Sequence, residues 1–174
     1  NPTGAQLADI NDAAGGTITL ANNAQTFTGT AAVMKSAFAG GLAGTQTGAV
    51  KINDTEGTIA ATVLTDITAQ TSGTVTAAAA GITITGTTTE VKAAIVTEAT
   101  KAIMANGKVR LTDTGTVAAT VLSGIGAITE GTVTVNGAMT ITGSTEEIKN
   151  ALVTETSKVI ATTSANVTLS LIHI

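Results

Sequence analysis

The sequence predicts an α/β protein built from three tandem copies of a unit of about 57 residues. Long phrases recur between two copies: GTIAATVLTDITAQTSGTVT begins at Gly57, and GTVAATVLSGIGAITEGTVT begins at Gly115. Lys35, Lys92 and Lys149 are separated by the same interval in both steps. The apolar spacing within a copy alternates between a helix period and a strand period. The predicted divisions are 1–56 as a degenerate repeat 1, 57–114 as repeat 2, 115–168 as repeat 3, and 169–174 as a non-native tail.

The first predicted element of each regular copy is a short helix. Its apolar residues are spaced at i, i+4, i+5 and i+8, and they are Ile59, Val63, Leu64 and Ile67 in repeat 2 and Val117, Val121, Leu122 and Ile125 in repeat 3. Two strands are predicted next, because polar and apolar residues alternate in Thr132-Val133-Thr134 and again in Met139-Thr140-Ile141-Thr142.

A longer helix is predicted after these strands. Ser144 and Glu147 have the spacing of a capping box, in which the two side chains satisfy backbone donors at the start of a helix. Thr87 and Glu90 have the same spacing in repeat 2. An apolar stripe then runs along the helix of repeat 2, and its members are Val91, Ala94, Ile95, Ala99, Ala102 and Ile103.

A third strand is predicted to close the unit. Asn106-Gly107 is a helix-ending pair, and Lys108-Val109-Arg110-Leu111 alternates as a strand does. In repeat 1, the glycines around Gly40 predict a shorter helix, because each interior glycine costs about 1 kcal/mol relative to alanine. The predicted order of the unit is therefore helix, strand, strand, helix, strand.

A unit of this kind buries its apolar faces poorly when it stands alone. Stacking on neighbouring repeats of the same chain solves this problem, so we expect a tandem-repeat array, solenoid-like, with stacked sheets covered by helices. The chain has 31 alanines, no Trp and no Tyr, and such small side chains suit closely spaced layers.

Composition argues against several classes of function. The net charge is -4, and only eight Lys and Arg residues are spread along the chain, without aromatic partners for base stacking, so no nucleic-acid partner is expected. No run of 18 apolar residues predicts a membrane span. Cysteine is absent and His173 is the only histidine, which removes the usual nucleophiles, bases and zinc ligands. We therefore expect no enzyme activity and no cofactor.

Two aspartates occupy the same position in their repeats. Asp54 in VKINDT and Asp113 in VRLTDT each follow a predicted strand and precede a predicted helix. A row of such carboxylates is a weak candidate for a calcium site. The interpretation that we favour is structural, with each aspartate accepting hydrogen bonds at the start of the next helix.

Threonine pairs recur in register and form the other candidate surface. The members of this possible surface ladder are Thr17, Thr19, Thr74, Thr76, Thr132 and Thr134, and then Thr83, Thr85, Thr140 and Thr142. Stacked repeats would align them in the manner of ice-binding solenoids. The simpler interpretation is that threonine is β-branched and favours the water-facing side of strands.

The repeat phrases also carry a resemblance. ITGTTTEVKAAIVTEATKAI, VRLTDTGTVAATVL and GTVTVNGAMTIT resemble the Thr/Ala/Gly-rich tandem repeats of giant bacterial cell-surface and secreted proteins, of the kind found in marine cyanobacteria. The resemblance implies an extracellular or cell-surface location and a structural or adhesive role, with cell-surface or self-association contacts. A ligand-binding module, calcium-dependent or ice-binding, is the alternative. The ending SLIHI resembles a translated sequencing adapter at a truncated metagenomic reading frame, in which case His173 is not native.

Overall fold

The computed structural model describes residues 2–40, 42–97, 102–135, 138–154, 159–161 and 165–170. Within these residues the fold is α/β, with six helices and three parallel sheets. The helices are α1 (Gly4–Ala13), α2 (Ala31–Phe38), α3 (Ala61–Thr68), α4 (Thr88–Val91), α5 (Ala119–Gly126) and α6 (Thr145–Leu152), and α4 continues as a π-helical turn over Lys92–Val96. The strands are β1 (Phe27–Gly29), β2 (Val50–Ile52), β3 (Glu56–Ala60), β4 (Val75–Thr76), β5 (Gly81–Gly86), β6 (Ala102–Ile103), β7 (Lys108–Leu111), β8 (Thr116–Ala118), β9 (Val133–Val135), β10 (Thr140–Gly143), β11 (Val159–Ala161) and β12 (Asn166–Leu169).

Every strand pairing in this part of the chain is parallel. The four-stranded sheet has the order β1-β2-β4-β6, the five-stranded sheet β11-β9-β7-β5-β3, and the three-stranded sheet β12-β10-β8. The separation of paired residues along the sequence varies little, with Phe27 and Val50 the nearest pair and Val75 and Ala102 the farthest. Each connection between paired strands contains one helix, as parallel pairing requires a crossover.

The helices begin at alternating intervals along the chain. Their first residues are Gly4, Ala31, Ala61, Thr88, Ala119 and Thr145, so that a shorter interval is followed each time by a longer one. The shorter segment from α3 to α4 holds two strands, β4 and β5, whereas the longer segment from α4 to α5 holds three, β6, β7 and β8. Shorter and longer segments thus alternate, which agrees with a sequence period that spans two helices.

The core lies between the helices and one face of the sheets. A buried row of Ile59, Ile84, Val109, Val133 and Val159 crosses the five-stranded sheet in register. Each helix contacts the next along the chain and packs on the strands beside it. In repeat 1 the core contains the edge-to-face pair Phe27 and Phe38, whose ring centroids are 5.6 Å apart.

Both predicted capping boxes are confirmed. The Thr87 backbone N–H donates to Glu90 at 2.7 Å, and the Glu90 N–H donates to the Thr87 hydroxyl at 3.3 Å. Ser144 and Glu147 make the same two bonds at the start of α6. The predicted strands after α5 are also present, as β9 and β10.

The long helix predicted in repeat 2 is wrong in its second half. The helical residues end at Val96, and Ala102–Ile103 form β6 beside β4. Ala102 is buried and Ile103 is half exposed, which is strand alternation rather than a helical stripe. Sheet pairing overrides the helical pattern here. Ala99, a predicted member of the stripe, lies outside the described residues.

Three further predictions about the unit are corrected. Ile59 and Val117 lie in strands β3 and β8, where they pair with Ile84 and Ile141, so the helices begin two residues after them. The unit in repeat 2 therefore begins with a strand, β3, that the predicted order lacked. The helix of repeat 1 is not shortened either, because α2 and α6 both have eight residues. Gly40 lies beyond the end of α2, with a φ of 121° that glycine tolerates.

Candidate functional site

The predicted threonine ladder is distributed over different sheets. Thr83 and Thr85 lie in β5 of the five-stranded sheet, whereas their counterparts Thr140 and Thr142 lie in β10 of the three-stranded sheet. Likewise, Thr76 belongs to the four-stranded sheet and Thr134 to the five-stranded sheet, with Thr74 and Thr132 directly before these strands. Thr17 and Thr19 flank Ile18, which bridges to Leu42. Equivalent threonines of successive repeats are therefore not neighbours.

The neighbours of these threonines on the outer sheet faces include cations. Two rows have the same order of side chains across three strands: Thr28–Lys51–Thr76 and Thr85–Arg110–Thr134. The Arg110 Nε donates to the Thr85 hydroxyl at 3.5 Å. Thr83 has Thr58 on one side and Lys108 on the other. Each row ends on an exposed isoleucine, Ile103 or Ile160, so the surface is a mixed array of hydroxyls, cations and apolar side chains. Ice binding through it stays a prediction, which a thermal-hysteresis assay tests.

Asp54 and Asp113 cap helices, but not the helices that the sequence predicted. Asp54 Oδ2 accepts from the Ala31 N–H at 2.7 Å, at the start of α2. Asp113 Oδ2 accepts from the Thr88 N–H at 2.7 Å, and its Oδ1 accepts from the Thr88 hydroxyl at 2.8 Å. Each aspartate thus caps the helix that precedes it in the chain, and the prediction of the next helix was wrong. The reason is the parallel register: the strand before each aspartate pairs with the strand that precedes the earlier helix, so the aspartate lies beside the start of that helix.

These contacts give both aspartates a structural role, because each carboxylate lies at the start of a helix. The first N–H groups of a helix carry a partial positive charge that a carboxylate stabilises. Among the described residues, no group of three or more His, Cys, Asp or Glu side chains is placed to hold a metal ion. Calcium binding by Asp54 and Asp113 therefore stays a prediction, which a calorimetric titration with calcium tests.

A buried Thr-x-Gly contact between neighbouring segments went unnoticed in the sequence. The Thr71 hydroxyl donates to the Gly48 carbonyl at 2.7 Å and accepts from the Gly73 N–H at 2.9 Å. The Thr129 hydroxyl likewise donates to the Gly107 carbonyl and accepts from the Gly131 N–H. A Cβ at Gly73 or Gly131 would overlap the backbone of the preceding segment. Thr-x-Gly recurs at equivalent places in repeats 2 and 3, and this recurrence is the sequence signal that could have revealed the contact.

A groove lies between α2 and the consecutive elements β3 and α3. It has a volume of about 500 Å³, and its lining residues include Ala31, Ala32, Lys35, Thr58 and Val63. Lys35 Nζ lies 3.0 Å from Asp66 Oδ2, so the two helices are joined by an ion pair that is half exposed. A groove at the equivalent place between α4 and α5 is lined by Thr88, Lys92 and Val121 among others. Small side chains and a lysine line both grooves, and Asp54 also lines the groove beside α2.

The candidate residues form no compact site in the described part of the chain. They form instead repeated contacts and repeated surfaces. None of the described helices is long and apolar enough to cross a membrane. Comparison with protein-family models, curated proteins and solved structures finds no match to this chain. Of the predicted tail, Leu169 and Ser170 are described, whereas positions 171–174, including His173, lie outside the described residues.

Proposed function

We propose that this chain is a non-catalytic segment of a solenoid-like tandem-repeat array in an extracellular or cell-surface bacterial protein. In this proposal each coil runs from one helix start to the next, and the array serves for spacing, display or adhesion. The observation that carries it is the register: every described strand pairs in parallel with strands that are separated from it by a single helix along the chain. Such a register supports coils that contact only their neighbours, as in repeat proteins.

The buried contacts between coils support the same interpretation. The Thr71 and Thr129 hydroxyls each join one coil to the coil before it, through the Gly48 and Gly107 carbonyls. These bonds satisfy backbone groups that a separate, bead-like unit would leave unpaired. These two contacts support an arrangement in which repeats 2 and 3 each pack on the repeat before them.

The strand register also supports a stepwise lateral shift along the array. Val75 of repeat 2 lies in the four-stranded sheet, and its counterpart Val133 of repeat 3 lies in the five-stranded sheet. In our proposal the last strand of each longer coil, β3 or β8, moves the chain to the next sheet. The outer faces would then present rows of threonine with a cation at regular intervals, which is a surface suited to repeated weak contacts.

Inserting one additional copy of residues 57–114 directly after residue 114 tests the array. A solenoid accepts the insertion as two further coils, so the longest dimension in small-angle X-ray scattering should increase and thermal unfolding should stay cooperative. The matched control is an insertion of the same composition in scrambled order, which should lower the melting temperature. An inserted copy that melts in a separate transition would indicate independent beads and contradict the proposal.

The location and the role need tests of their own. An antibody against the chain should label intact cells of the source organism, and labelling only after permeabilisation would contradict a surface location. For adhesion, fluorescent chain should bind to cell envelopes or extracellular matrix prepared from that organism. The double variant Lys51→Thr with Arg110→Thr, which leaves the core unchanged, should reduce this binding if the outer sheet faces make the contact.

A further inference from the structure

The outer face of the five-stranded sheet concentrates positive charge at its centre. The middle strand of this sheet is β7, and its two outward residues, Lys108 and Arg110, are both exposed. They are two positions apart along the strand, which places their Cα atoms about 6.6 Å from each other. The nearest acidic residues on this sheet lie at its margins, because Glu56 begins the edge strand β3 and Glu130 precedes β9.

Threonine hydroxyls flank these two cations on both sides. Strand β5 supplies two of them, and the Arg110 Nε donates to the Thr85 hydroxyl at 3.5 Å. Strand β9 and the residue before it supply two more on the other side. A hydroxyl can donate to a carboxylate and also accept from an alcohol, so this surface can bind both kinds of group. We call it the β7 patch, and its members are Thr83, Thr85, Lys108, Arg110, Thr132 and Thr134.

Charge is segregated between the two sides of the fold. The whole chain has a net charge of -4, so the positive β7 patch is a local feature. The described helices, with the π-helical turn, carry mostly acidic residues, which are Asp9, Asp12, Asp66, Glu90, Glu146 and Glu147 against Lys35, Lys92 and Lys149. The described strands carry mostly basic residues, which are Lys51, Lys108 and Arg110 against Glu56. An anionic partner is therefore repelled by the helices and attracted to the sheet.

The open form of the β7 patch suits a polymer better than a small anion. All of its side chains are exposed or half-buried, and exposed ion pairs contribute only about 0–1 kcal/mol each. A polymer with repeated charges gains affinity by engaging several such sites at once. Lys51 occupies the place of Arg110 in repeat 1, again between two threonines, so the proposed array offers the same contact in successive repeats.

The chemistry of the β7 patch distinguishes between classes of anionic polymer. Single-stranded nucleic acid is bound by base stacking on aromatic rings, but Phe27 and Phe38 are the only Phe, Tyr or Trp residues and both are buried. Anionic membranes attract clusters of about four to eight Lys and Arg residues, whereas this patch has two. The planar fork of Arg110 matches a carboxylate, and threonine hydroxyls match the hydroxyls of a sugar. A polysaccharide with carboxylate groups offers both.

We infer that the β7 patch binds a carboxylated polysaccharide. Lys108 and Arg110 pair with its carboxylate groups, and the flanking threonine hydroxyls bond to its sugar hydroxyls. Each contact is weak, so a longer array binds more tightly than this chain does. The inference rests on the proposed function and names the class of partner that the adhesive surface recognises.

A titration of the ¹⁵N-labelled chain with polygalacturonate, followed by amide NMR, tests the inference. Polygalacturonate is an unbranched polymer with a carboxylate on each sugar, and it should shift amide signals of β5, β7 and β9. The shifts should disappear in about 0.5 M NaCl, because salt screens exposed charges. Dextran, a neutral polysaccharide, should cause none of them.

Two double variants with equal loss of charge locate the contact. Lys108→Thr with Arg110→Thr removes two charges from the β7 patch and should weaken binding about tenfold. Lys92→Gln with Lys149→Gln removes two exposed charges from the helix side and should bind as the unmodified chain does. Circular dichroism establishes that both variants are folded. If the threonine double variant unfolds, Arg110→Lys decides instead: it keeps the charge without the fork and should bind more weakly than the unmodified chain.

Several outcomes would overturn the inference. They are a chain whose signals do not shift with polygalacturonate, shifts that map to the helices, equal weakening in the two double variants, and equal or tighter binding of single-stranded DNA. A chain that accepts the repeat insertion but does not bind polygalacturonate would refute this partner and leave the proposed array intact. Conversely, binding by a chain whose inserted copy melts separately would refute the array and leave the β7 patch intact.

Discussion

The helices of this fold begin in two different ways. Four of the six described helices start after a threonine or serine whose side chain accepts from the third backbone N–H, and the capping residues are Thr3, Thr30, Thr87 and Ser144. The helices α3 and α5 start after Ala60 and Ala118, which offer no side-chain acceptor. These two helices continue directly from strands β3 and β8, without an intervening turn.

The uncapped helices bury an apolar face, as the capped helix α2 also does. The helix α5 buries Leu122 and Ile125 completely or nearly so, and it contacts helices on both sides. In contrast, α6 buries Ile148 and Ala151 and keeps Leu152 only partly covered. The capped helix α2 buries Met34 and Phe38 as deeply as α5 buries Leu122 and Ile125, so the two kinds of helix differ at their first turn and not in the burial of their sides.

The largest expected effect comes from removing a side contact of an uncapped helix. Leu122→Ala should lower the free energy of unfolding by about 2–5 kcal/mol, because it removes buried methyl groups and leaves a cavity. Urea denaturation measures the change. The matched variant Leu152→Ala, in the capped helix α6, should cost clearly less because this side chain is partly exposed. Equal losses in both variants would mean that the cost does not follow the burial of the leucine side chain.

The next effect concerns the close approach of neighbouring segments. Gly131→Ala should destabilise the fold by about 1–3 kcal/mol, because the added Cβ overlaps the Gly107 backbone and the two segments must move apart. Gly115→Ala is the control, since a Cβ there meets no atom within 4 Å. The control should be neutral or slightly stabilising in a thermal melt. A neutral Gly131→Ala would mean that the segments are not held at this distance.

The end contact of a capped helix should be worth less than a buried leucine. Asp113→Ala should cost about 1–2 kcal/mol in urea denaturation, because it leaves the Thr88 N–H without its acceptor. Asp113→Asn keeps an acceptor oxygen and should recover part of the loss. Asp66→Ala removes an equally charged side chain whose ion pair is half exposed, and it should cost no more than about 1 kcal/mol. The contact is not a significant cap if Asp113→Ala and Asp66→Ala cost the same.

Local sequence signals predicted the elements whose determinants are close in sequence. The capping boxes at Thr87 and Ser144 depend on residues three positions apart, and both were predicted correctly. The strand at Ala102–Ile103 depends on pairing with Val75, on the far side of a helix, and the helical spacing of its apolar residues gave the opposite indication. The partner of Asp113 was assigned to the wrong helix for the same reason: the parallel register, invisible to local periodicity, returns the chain to Thr88.

The smallest expected effect is a gain, and it converts an uncapped helix into a capped one. Thr3 occupies the position in α1 that Ala60 occupies in α3, and the Thr3 hydroxyl accepts from the Gln6 N–H at 3.2 Å. Ala60 already has extended backbone angles, φ −67° and ψ 137°, and its side chain is exposed. Ala60→Thr should therefore stabilise the fold by about 0.5–1 kcal/mol, by offering an acceptor to the Val63 N–H. Ala60→Val has the same shape without the hydroxyl, so only the threonine variant should raise the melting temperature through capping. If valine gives the same increase, strand propensity at the end of β3 accounts for the gain, and α3 is already fully stabilised by its buried face.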